Sequence, residues 1–95
     1  MSGCQVEGAI RILLVEDHAL MRRGMKGQFA LESDFCVVGE AADGMAAVKL
    51  AAELEPDMVL MDIDLPVMNG IAATQQIKSD RPATRVLALS AFDND

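Results

Sequence analysis

The chain has 95 residues, 52% of them hydrophobic and 24% charged, with 15 acids against 8 bases and a net charge of -7. That length makes one globular domain with a modest core, and the acidic balance excludes a surface that grips nucleic-acid phosphates through clustered lysine and arginine. With no apolar run of spanning length, a membrane segment is excluded too, and the expected location is the cytoplasm.

Residues 1–9 show no periodicity and read as a flexible lead, with the folded domain over 10–95. Ile10-Arg11-Ile12-Leu13-Leu14-Val15 is a β-branched and leucine-rich run that closes in Glu16-Asp17, the pattern of a buried strand ending in acid. Asp17 or His18 is placed to cap the next helix. Met21, Met25 and Phe29 there lie four apart on one face, while Arg22, Arg23 and Lys26 are expected to face water. Gly24 and Gly27 inside that helix either permit close packing or weaken it. Glu32-Ser33-Asp34 ends it, and Phe35 to Ala41 reads as a second strand. Cys36 in this strand and Cys4 in the lead are expected to be inert thiols, with a disulfide or metal knuckle disfavoured by their different settings.

Asp43-Gly44 turns the chain into a helix from about Met45 to Leu54, with Ala47, Val48, Ala51 and Leu54 on one stripe of mostly small residues. After Pro56, the short apolar segment Asp57 to Met61 suits a strand buried on both faces and ends in Asp62. Pro66 bends the chain, Asn69 offers a helix cap, and Ile71, Thr74 and Ile77 recur at helical spacing. Ser79 to Ala83 forms a loop, and Arg85 to Ser90 is a fourth strand ending in a hydroxyl. Seven methionines beside three aromatics point to methionine as core filler.

Strands alternating with helices imply a parallel sheet with right-handed crossovers, in which all strand C-termini share one edge. Glu16, Asp17, Asp62 and Ser90 converge there if their strands are neighbours. Three carboxylates within about 5 Å repel by roughly 3 kcal/mol per pair at an effective dielectric near 20, so something must offset them. A divalent cation does so while keeping them ionised, and an oxygen donor set favours Mg²⁺. A carboxylate beside Mg²⁺ can also act as a nucleophile towards phosphorus, and the resulting acyl phosphate on Asp62 can recruit a hydroxyl such as that of Ser90.

The segments Leu14-Val15-Glu16-Asp17-His18, Gly39 to Gly44, Pro56 to Asp62, Leu65 to Gly70 and Val86 to Ala91 together resemble the receiver domains of bacterial two-component response regulators, nearest to the subfamily with helix-turn-helix DNA-binding output. The resemblance implies a flavodoxin-like, doubly wound α/β fold with strand order 2-1-3-4-5, here truncated after the fourth strand. It implies that Asp62 accepts a phosphoryl group from a sensor histidine kinase and that Asp17 and Asp62 ligate Mg²⁺. Glu16 would assist through water, Asp64 would lend its backbone carbonyl, and Ser90 would be the switch hydroxyl. The domain would be a regulatory phosphoacceptor rather than an enzyme, without direct nucleic-acid contact, its DNA-binding output domain absent from this chain.

The sequence departs from the family in having no lysine after Lys78 to pair with the phosphoryl group, which implies slow chemistry. Crossover handedness in the order 2-1-3-4 puts the first helix alone on one face, so the chain is expected to cover its bare face and last strand by pairing or swapping with a second copy. One alternative is a receiver-shaped interaction module that is never phosphorylated. A second is a phosphatase resembling the haloacid dehalogenases, prompted by Asp62-Ile63-Asp64, although in that family the pair follows the first strand.

Overall fold

Four consecutive buried side chains identify the central strand. In β1 (Ile10–Val15), Ile12, Leu13 and Leu14 are 0% exposed and Val15 is 1% exposed. Successive strand residues point to opposite faces, so a run buried without alternation requires cover on both sides. The structure is a computed structural model that describes residues 8–62 and 70–89. Most of the predicted lead, the Pro66 bend and the Asn69 cap lie outside the described residues.

The remaining elements follow in alternation: α1 (Ala19–Ala30), β2 (Phe35–Ala41), α2 (Gly44–Leu54), β3 (Met58–Asp62), α3 (Gly70–Asp80) and β4 (Arg85–Leu89). The described strands form one parallel sheet in the order β2-β1-β3-β4. This is the expected flavodoxin-like α/β arrangement. The third strand runs one residue later than predicted, taking in Asp62 and leaving out Asp57.

The sheet separates two cores. On one face Leu13, Val15, Val59 and Met61 pack with Ala47 and Ala51 of α2 and with Ala73 and Ile77 of α3. On the other, Ile12, Leu14 and Leu60 meet Met25 and Phe29 of α1 together with Phe35. The rings of Phe29 and Phe35 pack edge to face with centroids 5.4 Å apart. As handedness predicts, α1 packs on one face, and Leu87 of the outer strand β4 is left 53% exposed.

Two predicted helix faces need correction. Met21 is 52% exposed rather than packed with Met25 and Phe29, because a helix lying alone on a sheet covers a narrow strip and Met21 falls beyond it. In α3 the buried line is Gly70, Ala73 and Ile77, with Ile71 60% exposed. The smaller residues are the ones that let α3 approach β3 and α2 closely.

A Cβ at Gly24 or Gly27 would meet nothing within 4 Å. Close packing is therefore not their reason, and both weaken α1 relative to alanine by about 1 kcal/mol each. Gly39 is different: a Cβ there would lie 2.5 Å from Leu54 Cδ1 and 3.3 Å from Leu13 Cδ1. It sits where β2 slips register, with Ile12 opposite Val37 and Leu13 opposite Gly39, so one extra residue is taken up in β2.

Cys36 is disulfide-bonded, against the expectation of an inert thiol. Parallel pairing sets Arg11 beside Cys36, so residues just ahead of β1 begin within a short chain length of it, a proximity that sequence setting alone does not register. The chain's other cysteine, Cys4, lies outside the described residues.

Candidate functional site

Adjacent pairing of β1 and β3 builds the site. Val15 lies opposite Met61, so the residues that end each run, Glu16-Asp17 and Asp62, emerge side by side at the carboxyl edge of the sheet. Glu16 is 5% exposed and Asp62 3% exposed. The Glu16 backbone N–H donates to the Ala41 carbonyl at 3.0 Å, which carries the chain one step beyond β1 along β2. One oxygen from each of Glu16, Asp17 and Asp62 and one ring nitrogen of His18 all lie within 4.8 Å of one another.

Three of the sequence-predicted site residues thus converge. Asp64 and Ser90 lie outside the described residues. Asp17 Oδ1 is shut off from solvent and accepts no hydrogen bond among the described residues. A buried carboxylate oxygen outside any hydrogen bond, in a group of three acids, is an arrangement that a hard divalent cation satisfies.

Sequence reading missed two participants. His18 stands at the N-cap of α1 but makes no side-chain cap hydrogen bond. Instead its Nδ1 lies 2.8 Å from Glu16 Oε2 and 3.1 Å from Asp17 Oδ1, and its backbone N–H donates to Glu16 Oε2 at 3.1 Å. The Glu16 hydrogen bond, helped by the charge of Asp17, raises the imidazole pKa above its ordinary value.

The second is Arg22, expected in water but only 20% exposed in its side chain. It donates from Nη1 to the Glu16 carbonyl and from Nε to Glu40 Oε1 at 3.1 Å, tying the end of β1 to β2. Lys26 Nζ closes the group at 2.9 Å from Glu40 Oε2. The available signal was spacing: Arg22 and Lys26 follow His18 at successive four-residue steps, which place all three on one side of α1.

Glu40 is held below the ordinary carboxylate range, first by Lys26 and then by Arg22. A depressed carboxyl stabilises the fold above its unfolded pKa of about 4.3 and loses that contribution as pH falls through the folded value. Melting temperatures of the wild type and Glu40→Gln should therefore differ at neutral pH and converge below about pH 4. A gap that stays constant across that range would show that the ion pairs add nothing, as many exposed pairs do not.

Among the described residues a four-stranded parallel sheet carries an acidic cluster at the carboxyl ends of its adjacent central strands, a receiver-type α/β fold, and the chain belongs to the response regulator receiver domain family, which it matches over residues 12–95. It is 44% identical over 86 residues to the response regulator protein VraR of Staphylococcus aureus, covering 90% of this chain and 41% of that protein. Among solved structures, the response regulator domain of Thermotoga maritima CheB superposes with a TM-score of 0.85 at 42% identity, over 92% of this chain and 64% of that one. The receiver domain of the putative response regulator NarL from Mycobacterium tuberculosis gives 0.84 at 37% identity, over 90% and 69%. The chain thus spans about two-fifths of the length of the curated relatives it matches. It is a regulatory domain of two-component systems, and among the described residues no helix is long and apolar enough to cross a membrane. The phosphatase alternative fails on topology, since its aspartate pair begins at the end of the third strand here.

Proposed function

We propose that this domain is a phosphorylation-dependent switch in which Asp62 accepts a phosphoryl group from a sensor histidine kinase with Mg²⁺ bound beside it. The observation that carries this reading is the convergence of Glu16, Asp17 and Asp62 within 4.8 Å at the ends of β1 and β3, inside a receiver-family fold. Asp17 and Asp62 would hold the cation directly, Glu16 through water, and Asp64 through its backbone carbonyl, the last assigned from the family resemblance. Mg²⁺ bound there supplies charge neutralisation and orientation of phosphoryl oxygens.

Asp62 then provides the nucleophilic oxygen. Its O–P bond forms as the P–N bond of the kinase phosphohistidine breaks, and the imidazole departs as the leaving group. The new dianionic group at the β3 terminus draws in the hydroxyl of Ser90, which follows β4 in the chain, and that movement is the signal passed to an output domain. With net charge -7 the domain would not bind DNA itself; that task would belong to a helix-turn-helix output domain, as the family resemblance implies. The cytoplasm is the matching location.

Intact mass after prolonged incubation with acetyl phosphate and Mg²⁺ tests the switch. The wild type should gain the mass of one phosphoryl group, with no gain for Asp62→Asn or in excess chelator. No gain by the wild type at saturating cation would reject phosphorylation in favour of a purely structural interaction module.

We also propose that the 95-residue chain pairs or swaps with a second copy. Supporting this, β4 is the outer strand of the described sheet and carries Leu87 at 53% exposure. Sedimentation should show a dimer at high micromolar concentration, and a stable monomer there would overturn it.

A further inference from the structure

We propose that His18 is a direct ligand of this cation site, giving the domain a selectivity for first-row transition ions such as Co²⁺ and Zn²⁺ that three carboxylates alone would not confer. The inference rests on the reading of Asp17 and Asp62, with Glu16 through water, as a cation site and adds a nitrogen donor to it.

Geometry comes first. One His18 ring nitrogen and one oxygen from each acid lie within 4.8 Å of one another. Ligands around one ion at about 2.0–2.2 Å stand no more than about 4.4 Å apart, so small side-chain adjustments close the shell. Asp17 Oδ1, buried and without a hydrogen bond among the described residues, already waits on one side of that space.

Orientation is the second point. The His18 side chain is 68% exposed, so packing does not force it inward, and it makes no cap hydrogen bond that would occupy it elsewhere. Yet Nδ1 points between two carboxylates, at 2.8 Å from Glu16 Oε2 and 3.1 Å from Asp17 Oδ1. Nδ1 is hydrogen-bonded to Glu16 Oε2, and a cation that displaced the proton between them would turn Nδ1 into a ligand facing the same point as the acid oxygens.

Donor chemistry then decides which ions benefit. Imidazole nitrogen suits Co²⁺, Ni²⁺ and Zn²⁺, whereas Mg²⁺ prefers oxygen donors and keeps its waters. Adding His18 should thus raise affinity for the first group and leave the second almost untouched. The donors project from the three residues that follow β1, Glu16, Asp17 and His18, and from Asp62 at the end of β3.

The chain contains one histidine, so in untagged protein every imidazole signal belongs to His18. Zn²⁺ should move its ring ¹⁵N resonances to metal-bound positions at one equivalent, and Mg²⁺ should not. In titration calorimetry, His18→Gln should lower Co²⁺ affinity at least about tenfold and Mg²⁺ affinity by less than about threefold. Asp62→Asn should weaken both ions. Equal losses for both ions in His18→Gln, no loss for either, or unmoved ring signals with Zn²⁺ would each overturn the role of His18. Failure of the wild type to bind any of these ions is a distinct result, one that rejects the cation site itself and His18 with it.

Discussion

Asp62→Asn should raise the melting temperature of the cation-free protein and at the same time abolish the stabilisation that Mg²⁺ gives the wild type. The three acids lie within 4.8 Å of one another, and two of them are at least 94% out of solvent. At an effective dielectric near 20, each pair at that distance repels by roughly 3 kcal/mol. Removing one charge while keeping side-chain shape should therefore recover about 1 kcal/mol, a rise of about 5 °C for a domain of this size. Adding Mg²⁺ should then raise the wild-type melting temperature by mass action and leave that of the variant unchanged. Identical melting curves for the two proteins, with identical responses to Mg²⁺, would show that the carboxylates neither repel nor share an ion.

Leu13→Ala should cost about 3 kcal/mol, a large part of the stability of a small domain. Leu13 is 0% exposed on the central strand and belongs to the core shared with α2 and α3, where Ala47, Ala51 and Ala73 are too short to fill a vacated space. Urea unfolding should show a lowered midpoint with unchanged slope. Leu20→Ala, at a position 80% exposed, should stay within about 0.5 kcal/mol of the wild type, since the same chemical change there opens no cavity. Equal effects at the two positions would contradict the two-core packing.

The contrast between Leu13 and Leu20 also marks what could be read from the sequence. Runs such as Ile12 to Val15 and Met58 to Met61 carry their own explanation, because only a doubly covered strand buries neighbours on both faces. Their acidic ends then had to meet on one edge, so Asp62 was legible without knowing a single rotamer. Helix faces were less so. Ile71 looks like core and Ala73 does not, yet it is Ala73 that fits the narrow space beside α2. Packing distance, which hydrophobicity does not encode, made that choice. His18 and Arg22 were hidden for a related reason, since the first turn of α1 can present either to water or to the acids until the angle of the helix on the sheet is known. The Cys36 bond depended on a neighbour in space rather than in sequence.

The pairing of Val15 with Met61 joins positions far apart in the chain, and the acidic cluster is complete only in a segment that runs from Glu16 to Asp62. Cation uptake by the proposed site would therefore be a clock for assembly: a nascent chain could not register it until β3 had emerged and docked, after the costly closure of a long loop. A luminescent lanthanide followed in a stopped-flow refolding mixture would then light up with sheet completion rather than with early helix formation.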